Sequence, residues 1–269
     1  MSKTRIMVVL IVIIQFVIII IGLYVFYYHR WKHLWAMDAS IPSYEVMSQS
    51  DDTLRIIMIG DSWAALHHEN GMDTFLCSKL QEWLSRPVVV VSKGKGGEKS
   101  RGIYQLMFSS DCYGTKELLA LKPDYCIISA GINDAAANLG TQQYCHYYRL
   151  ILDFLLINHI RPIVLEIPNV NIWHLYGDKP FKDIVVDFVR STMTKCNMYH
   201  VQEYREDLYQ MLEEEHYREK IVYIPMQDWN DGGADIDKHL FMTDQIHLNH
   251  YGYEKLDSCI AMAISKDLE

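Results

Sequence analysis

Ile6 to Tyr28 reads IMVVLIVIIQFVIIIIGLYVFYY, a hydrocarbon run without charge that only Gln15 and Gly22 interrupt. As a helix it extends about 34 Å, enough to cross the apolar core of a bilayer, and so long an uncharged run is rarely needed inside a small domain. A cleaved secretory signal has a shorter apolar stretch, roughly 7 to 15 residues, followed by a small-x-small site. Here the run ends in Tyr27 and Tyr28 and is followed by Trp31 and Trp35, the aromatic belt of a membrane interface. Residues 1–35 therefore read as a tail and an uncleaved transmembrane anchor that meets the membrane through residues 6–28.

The positive-inside rule scarcely separates the two orientations, since Lys3 and Arg5 flank one end and Arg30 and Lys32 the other. A short tail is easily retained, and nothing after Tyr28 resembles a second span. The expectation is a single pass with the N-terminus cytoplasmic and the rest of the chain extracytoplasmic.

Charge narrows the partners. The chain has 25 Lys plus Arg against 34 Asp plus Glu, and four of the cations lie in the acid-free first 35 residues. The body keeps 21 cations against 34 acids, a net charge of −13. Such a body repels phosphate backbones, so nucleic acid is not an expected partner and a neutral substrate fits better. The six cysteines (Cys77, Cys112, Cys126, Cys145, Cys196, Cys259) form no C-x-x-C pair and assign neither a disulfide nor a compartment.

Residues 36–53, with Pro42, several serines and Asp51-Asp52, lose apolar periodicity and read as a linker. Residues 54–269 form the folded domain. Strand patterns at Arg55–Ile59, Val88–Val91, Tyr125–Ser129, Pro162–Ile167 and Ile221–Ile224 alternate with helical patterns. The helices fall at Gly71–Leu84, Thr115–Leu121, Gln142–His159, within Phe181–Glu219, and at Tyr251–Ser265. This alternation predicts an α/β fold with a parallel sheet covered on both faces. Ligands of such sheets bind beyond the carboxyl ends of the strands.

Polar or glycine-rich clusters fall at those ends: Gly60-Asp61-Ser62-Trp63, Gly94-Lys95-Gly96-Gly97-Glu98 and Gly131-Ile132-Asn133-Asp134. A fourth, Asp244-Gln245-Ile246-His247-Leu248-Asn249, precedes the last helix. A serine hydroxyl needs a base to become a nucleophile. His247 can serve, and Asp244, three residues earlier, can hold its other ring nitrogen. Attack on an ester creates an oxyanion, for which the backbone N–H groups of Ser62 and Gly97 and the side-chain amide of Asn133 are candidate donors.

These four blocks, in this order, resemble the SGNH (GDSL-type) hydrolase family over about Leu54 to Leu268, and Asp244 to Tyr253 is especially similar to its final block. The resemblance implies a flavodoxin-like three-layer α/β/α sandwich with a parallel sheet and neither a metal nor an organic cofactor. It also implies Ser62 as nucleophile, His247 and Asp244 as its partners, and Gly97 and Asn133 as oxyanion donors. The family often has Asn at the start of the second block, where this chain has Ser92-Lys93. Asp61 and Asp134 read as loop braces.

Rival motifs fail on particular residues. Lys93 to Ser100 is not a phosphate loop, because Lys93 and Glu98 stand where glycine is required. Asp228 to His239 imitates a calcium loop, but Gly232 takes a ligand position and His239 stands where Glu should close the site, so it reads as a solvated acidic loop. Ala64 spoils the G-x-S-x-G elbow. His67 and His68 read as a pair on the rim of the site, and Trp63, Trp173 and Trp229 suit either sugar stacking or packing.

The function expected is a membrane-anchored serine esterase acting on acylated carbohydrate or a small ester, acetyl esters foremost. The alternatives are an O-acetyltransferase of an envelope polysaccharide using the same site, a lysophospholipase or thioesterase, and a non-enzymatic glycan-binding module.

Overall fold

The computed structural model describes residues 3–32, 44, 46, 51–173, 179–229 and 239–269. The chain divides into two compact units, Met1–Asp38 and Ala39–Glu269. In the first, helix α1 (Lys3–Trp31) runs for 29 residues; its most apolar 18-residue window has a mean hydropathy of 3.4, and no residue of that window is buried. It is long and apolar enough to cross a membrane.

The second unit is built on five parallel strands: β1 (Leu54–Gly60), β2 (Val88–Gly94), β3 (Tyr125–Ser129), β4 (Arg161–Leu165) and β5 (Val222–Ile224), in the order β2-β1-β3-β4-β5. Continuous apolar runs such as Ile56–Ile59 and Cys126–Ile128 are buried throughout, because helices cover both faces and neither side of the central strands can be polar. Helices α2 (Ser62–Glu69) and α3 (Met72–Leu84) lie between β1 and β2, and α4 (Ser100–Leu106) and α5 (Lys116–Ala120) between β2 and β3. Beyond β3 come α6 (Ile132–Ala136) and α7 (Thr141–Ile157), beyond β4 α8 (Phe181–Thr194) and α9 (Val201–Glu214), and last α10 (His250–Asp267). α3 packs with α10 and β2, while α7 packs with α4 and α9. This is the three-layer α/β/α arrangement implied above.

β2 continues three residues past its apolar run, pairing Ile59 with Lys93 and Gly60 with Gly94. The extension brings Gly94 against the turn before α2, where a Cβ would stand 2.2 Å from the Asp61 carbonyl oxygen and 2.6 Å from the Ala65 nitrogen, so only glycine fits. Most of residues 36–50, read as a linker, lie outside the described residues, but Tyr44 docks on the domain. Its hydroxyl donates to the Met107 carbonyl at 3.1 Å, and its ring meets Phe108 and Phe154.

The chain passes from β1 outward to β2 and then back across to β3, so the crossovers diverge between β1 and β3. That divergence opens a crevice at the strands' carboxyl ends. Ser62 follows β1, Gly97 follows β2 and Asn133 follows β3, and all three are delivered to it.

Candidate active site

Ser62 is the first residue of α2, and Asp61 caps that helix by accepting the Trp63 N–H at 3.0 Å. The Asp61 carboxylate also accepts the Ser129 hydroxyl at 2.9 Å and the Asn133 side-chain amide at 3.1 Å. One buried carboxylate thereby ties the ends of β1 and β3 and the start of α6 together. Burial raises Asp61 to about 6 against the hydrogen bonds that favour its anion. Asp134, likewise buried, accepts the Ser100 N–H at 3.0 Å and the Ser100 hydroxyl at 2.7 Å, and burial raises it to about 7. It joins α6, which bears Asn133, to α4, which follows the Gly97 loop, and so sets those two elements relative to each other.

The segment before α10 brings in His247. His247 Nδ1 lies 2.6 Å from Asp244 Oδ2, and His247 Nε2 lies 2.8 Å from Ser62 Oγ. The other Asp244 oxygen accepts the backbone N–H groups of Ile246 and His247, both at 2.9 Å. Burial opposes the Asp244 anion, but these bonds and the imidazole outweigh it and hold the carboxyl below its ordinary value. With Nδ1–H donated to Asp244, Nε2 faces the serine with its lone pair. The Trp63 indole N–H donates to the Ile246 carbonyl at 3.1 Å, which ties α2 to this segment, and Asn249 caps α10 by accepting the Gly252 N–H at 3.0 Å.

Ser62, Gly96, Gly97, Ile132, Asn133, Ile246 and His247 are among the residues lining a cleft of about 300 Å³. Gly97 has φ of +72°, a left-handed conformation that favours glycine. Ser62, Gly97, Asn133, Asp244 and His247 are thus gathered at one end of the sheet.

His67 departs from the reading as a rim residue. It is fully buried, with Nε2 2.8 Å from Asp257 Oδ1 and Nδ1 3.1 Å from Asp73 Oδ1 and 2.9 Å from Ser92 Oγ. His68 is exposed and meets the other Asp73 oxygen at 2.7 Å. The two rings point apart because neighbours on a helix are about 100° apart, and α3 and α10 close over one side only. Of the tryptophans, Trp63 is buried and lines the cleft, Trp229 is packed under Lys255, and Trp173 is exposed against Tyr199 and away from the cleft lining. Residues 230–238 of the acidic loop lie outside the described residues. Among the described residues no cluster of His, Cys, Asp or Glu is fit to hold a metal ion.

The sequence reads Asp61 only as a loop brace; its capping of α2 does not show there, because the helix starts inside the Gly60-Asp61-Ser62 motif. Its partners Ser129 and Asn133 carry no sequence signal, nor does the His67–Asp257 contact, which spans 190 positions.

Comparison with known proteins bears on family and fold. The profile of the GDSL-like lipase/acylhydrolase family matches residues 58–255. Among solved structures, a lipase/acylhydrolase from Enterococcus faecalis is 15% identical with a TM-score of 0.53, the alignment covering 80% of this chain and 96% of that one. A variant of an acetyl-xylooligosaccharide esterase from Geobacillus is 18% identical with a TM-score of 0.53, covering 78% and 94%. A lipase from a goat rumen metagenome is 15% identical with a TM-score of 0.51, covering 78% and 97%. At these identities the likeness is one of fold. No curated protein sequence matches.

Proposed function

The chain belongs to the GDSL-like lipase/acylhydrolase family and is an ester-hydrolysing serine enzyme, and from that premise we propose a membrane-anchored esterase that removes acyl groups, acetyl foremost, from a carbohydrate or envelope glycan outside the cytoplasmic membrane. The observation that carries the reading is the relay Asp244–His247–Ser62, with links of 2.6 and 2.8 Å, opening into a cleft walled by Gly97 and Asn133.

His247 Nε2 takes the proton of Ser62 as Oγ attacks the ester carbonyl, and Asp244 holds the ring and balances the imidazolium. The tetrahedral oxyanion is received by the N–H groups of Ser62 and Gly97 and the Asn133 amide. Collapse expels the alcohol, protonated by His247, and leaves the acyl group on Ser62. Water, deprotonated by His247, then attacks the acyl carbonyl and releases the acid with Ser62 restored.

One protein of the same fold is an acetyl-xylooligosaccharide esterase, which favours acetylated carbohydrate as the substrate class. Helix α1 supplies the anchor, with the N-terminus cytoplasmic and the catalytic unit outside.

The test uses the full chain in detergent, a fluorophosphonate probe and p-nitrophenyl esters of increasing chain length. Ser62→Ala should abolish labelling and turnover while the protein stays folded, because a hydroxyl facing the cleft contributes little to stability. Equal labelling of the variant overturns the nucleophile, and preference for long chains overturns the acetyl reading.

A further inference from the structure

Four hydrogen bonds join the stretch 62–67 to the stretch 246–257 like rungs. Ser62 Oγ meets His247 Nε2 at 2.8 Å, and the Trp63 indole donates to the Ile246 carbonyl at 3.1 Å. The Tyr253 hydroxyl donates to the Trp63 carbonyl at 2.9 Å, and His67 Nε2 meets Asp257 Oδ1 at 2.8 Å. The first rung is the reacting pair. The last lies five residues further along the same helix, is wholly buried, and is not used by the chemistry above.

We propose that His67 is a positioning residue: held by Asp257, Asp73 and Ser92, it fixes α2, and with it the Ser62 hydroxyl, against the segment that carries His247. This rests on the reading of Ser62 as nucleophile. α2 has eight residues and Ser62 is its first, so a tilt of α2 moves Oγ directly. His67 ties α2 to three elements at once: Asp257 of α10, Asp73 of α3 and Ser92 of β2. Asp257 Oδ2 is buried without a hydrogen-bond partner, so His67 is what holds that carboxyl. The other two cross-links are neutral, whereas those of His67 run to charged groups and are about twice as strong. A 1 Å misplacement of a reacting group costs about 10²-fold in rate.

The groups facing this imidazole are Asp73 of α3, Asp257 and Tyr253 of α10 and Ser92 of β2; one step further out, Lys79 acts on Asp257, Glu69 on Tyr253, and His68 on the other oxygen of Asp73. Burial disfavours the imidazolium and raises Asp257, but the hydrogen bonds that His67 donates to Asp257 and Asp73 outweigh the cost to the ring and raise His67 to about 9, while bonds from His67, Ser92 and His68 hold Asp73 at about 2. The cation is therefore in place below about pH 9 and is lost as pH rises through that value.

The experiment compares wild type, His67→Gln, Asp257→Asn and the apolar pair His67→Leu/Asp257→Val, all as full chain in detergent. The readings are kcat and KM for p-nitrophenyl acetate, the rate of fluorophosphonate labelling, and the melting temperature. Replacing a buried ion pair by apolar residues of similar volume commonly preserves stability. The apolar pair should thus melt close to wild type yet lose about tenfold or more in kcat and in labelling rate, with KM within about twofold. Wild-type kcat should also fall above about pH 9 at constant KM, and His67→Gln should lack that limb.

A folded apolar pair with kcat within about twofold of wild type overturns the proposal and leaves His67 a structural residue. Should the variants fail to fold, the wild-type profile decides, and kcat constant to about pH 10 overturns it. A wild-type chain that takes no probe would overturn the nucleophile assignment and this inference with it.

Discussion

Asn133→Ala separates the two tasks given to one side chain. The Asn133 amide nitrogen has two hydrogens. One goes to Asp61 Oδ2 at 3.1 Å, which leaves the other for the cleft that Asn133 lines. Losing the first removes one hydrogen bond to a carboxylate, about 1.5–3 kcal/mol, while Asp61 keeps the Trp63 N–H and the Ser129 hydroxyl. For a domain of this size that lowers the melting temperature by roughly 3–12 °C and leaves it folded at room temperature. Losing the second removes an oxyanion donor, which costs about 10²–10³ in kcat, or roughly 2.7–4 kcal/mol, with little change in KM. The assay is steady-state hydrolysis of p-nitrophenyl acetate at about 25 °C, alongside differential scanning fluorimetry. A kcat within about threefold of wild type refutes the oxyanion role, and a loss carried wholly by KM moves Asn133 to substrate binding.

His247→Ala should be at least as damaging to kcat as Asp244→Asn, since one removes the base and the other only its orientation; nearly full activity in His247→Ala at several pH values would require another base, such as His250. Gly94→Ala drives a Cβ to 2.2 Å from the Asp61 carbonyl and should lower both melting temperature and kcat, because the backbone that must yield carries the nucleophile; an unchanged melting curve contradicts that close approach. Stability should peak on the acid side of neutrality. Asp61 and Asp134, raised to about 6 and about 7, contribute stability below the ordinary carboxylate value and lose it as pH rises through those values. Asp73 and Asp244, held low, contribute above the ordinary value and lose it as pH falls. The melting temperature should therefore be higher near about pH 5 than near about pH 8, and Asp134→Asn should flatten that rise; equal values at the two pH points would refute it.

The sheet was readable because β1, β3 and β4 are buried on both faces, which writes unbroken apolar runs into the sequence. The cleft residues were readable because turns at strand ends need Gly, Asp and Asn. The short helices α2, α4 and α6 were not, since each starts inside a glycine-rich motif that locally resembles a turn and is too short for periodicity to show. β2 was cut short at Val91 for a related reason: Ser92 and Lys93 break the apolar run, yet pairing with β1 carries the strand on to Gly94. His67 was placed on the rim because an isolated histidine gives no sign of a carboxylate 190 positions away. Buried polar pairs of that kind are decided by tertiary packing, and sequence spacing holds no trace of them.

Ser62 and His247, the proposed nucleophile and base, are 185 positions apart. A chain made from its N-terminus at about 5–20 residues per second exposes Ser62 roughly 10–40 s before His247 is synthesised. Through that interval the serine is an ordinary alcohol, with β2 and β3 still arriving and no imidazole to take its proton. On the proposed mechanism, hydrolytic competence arrives only once the segment that carries His247 has been translated and docked.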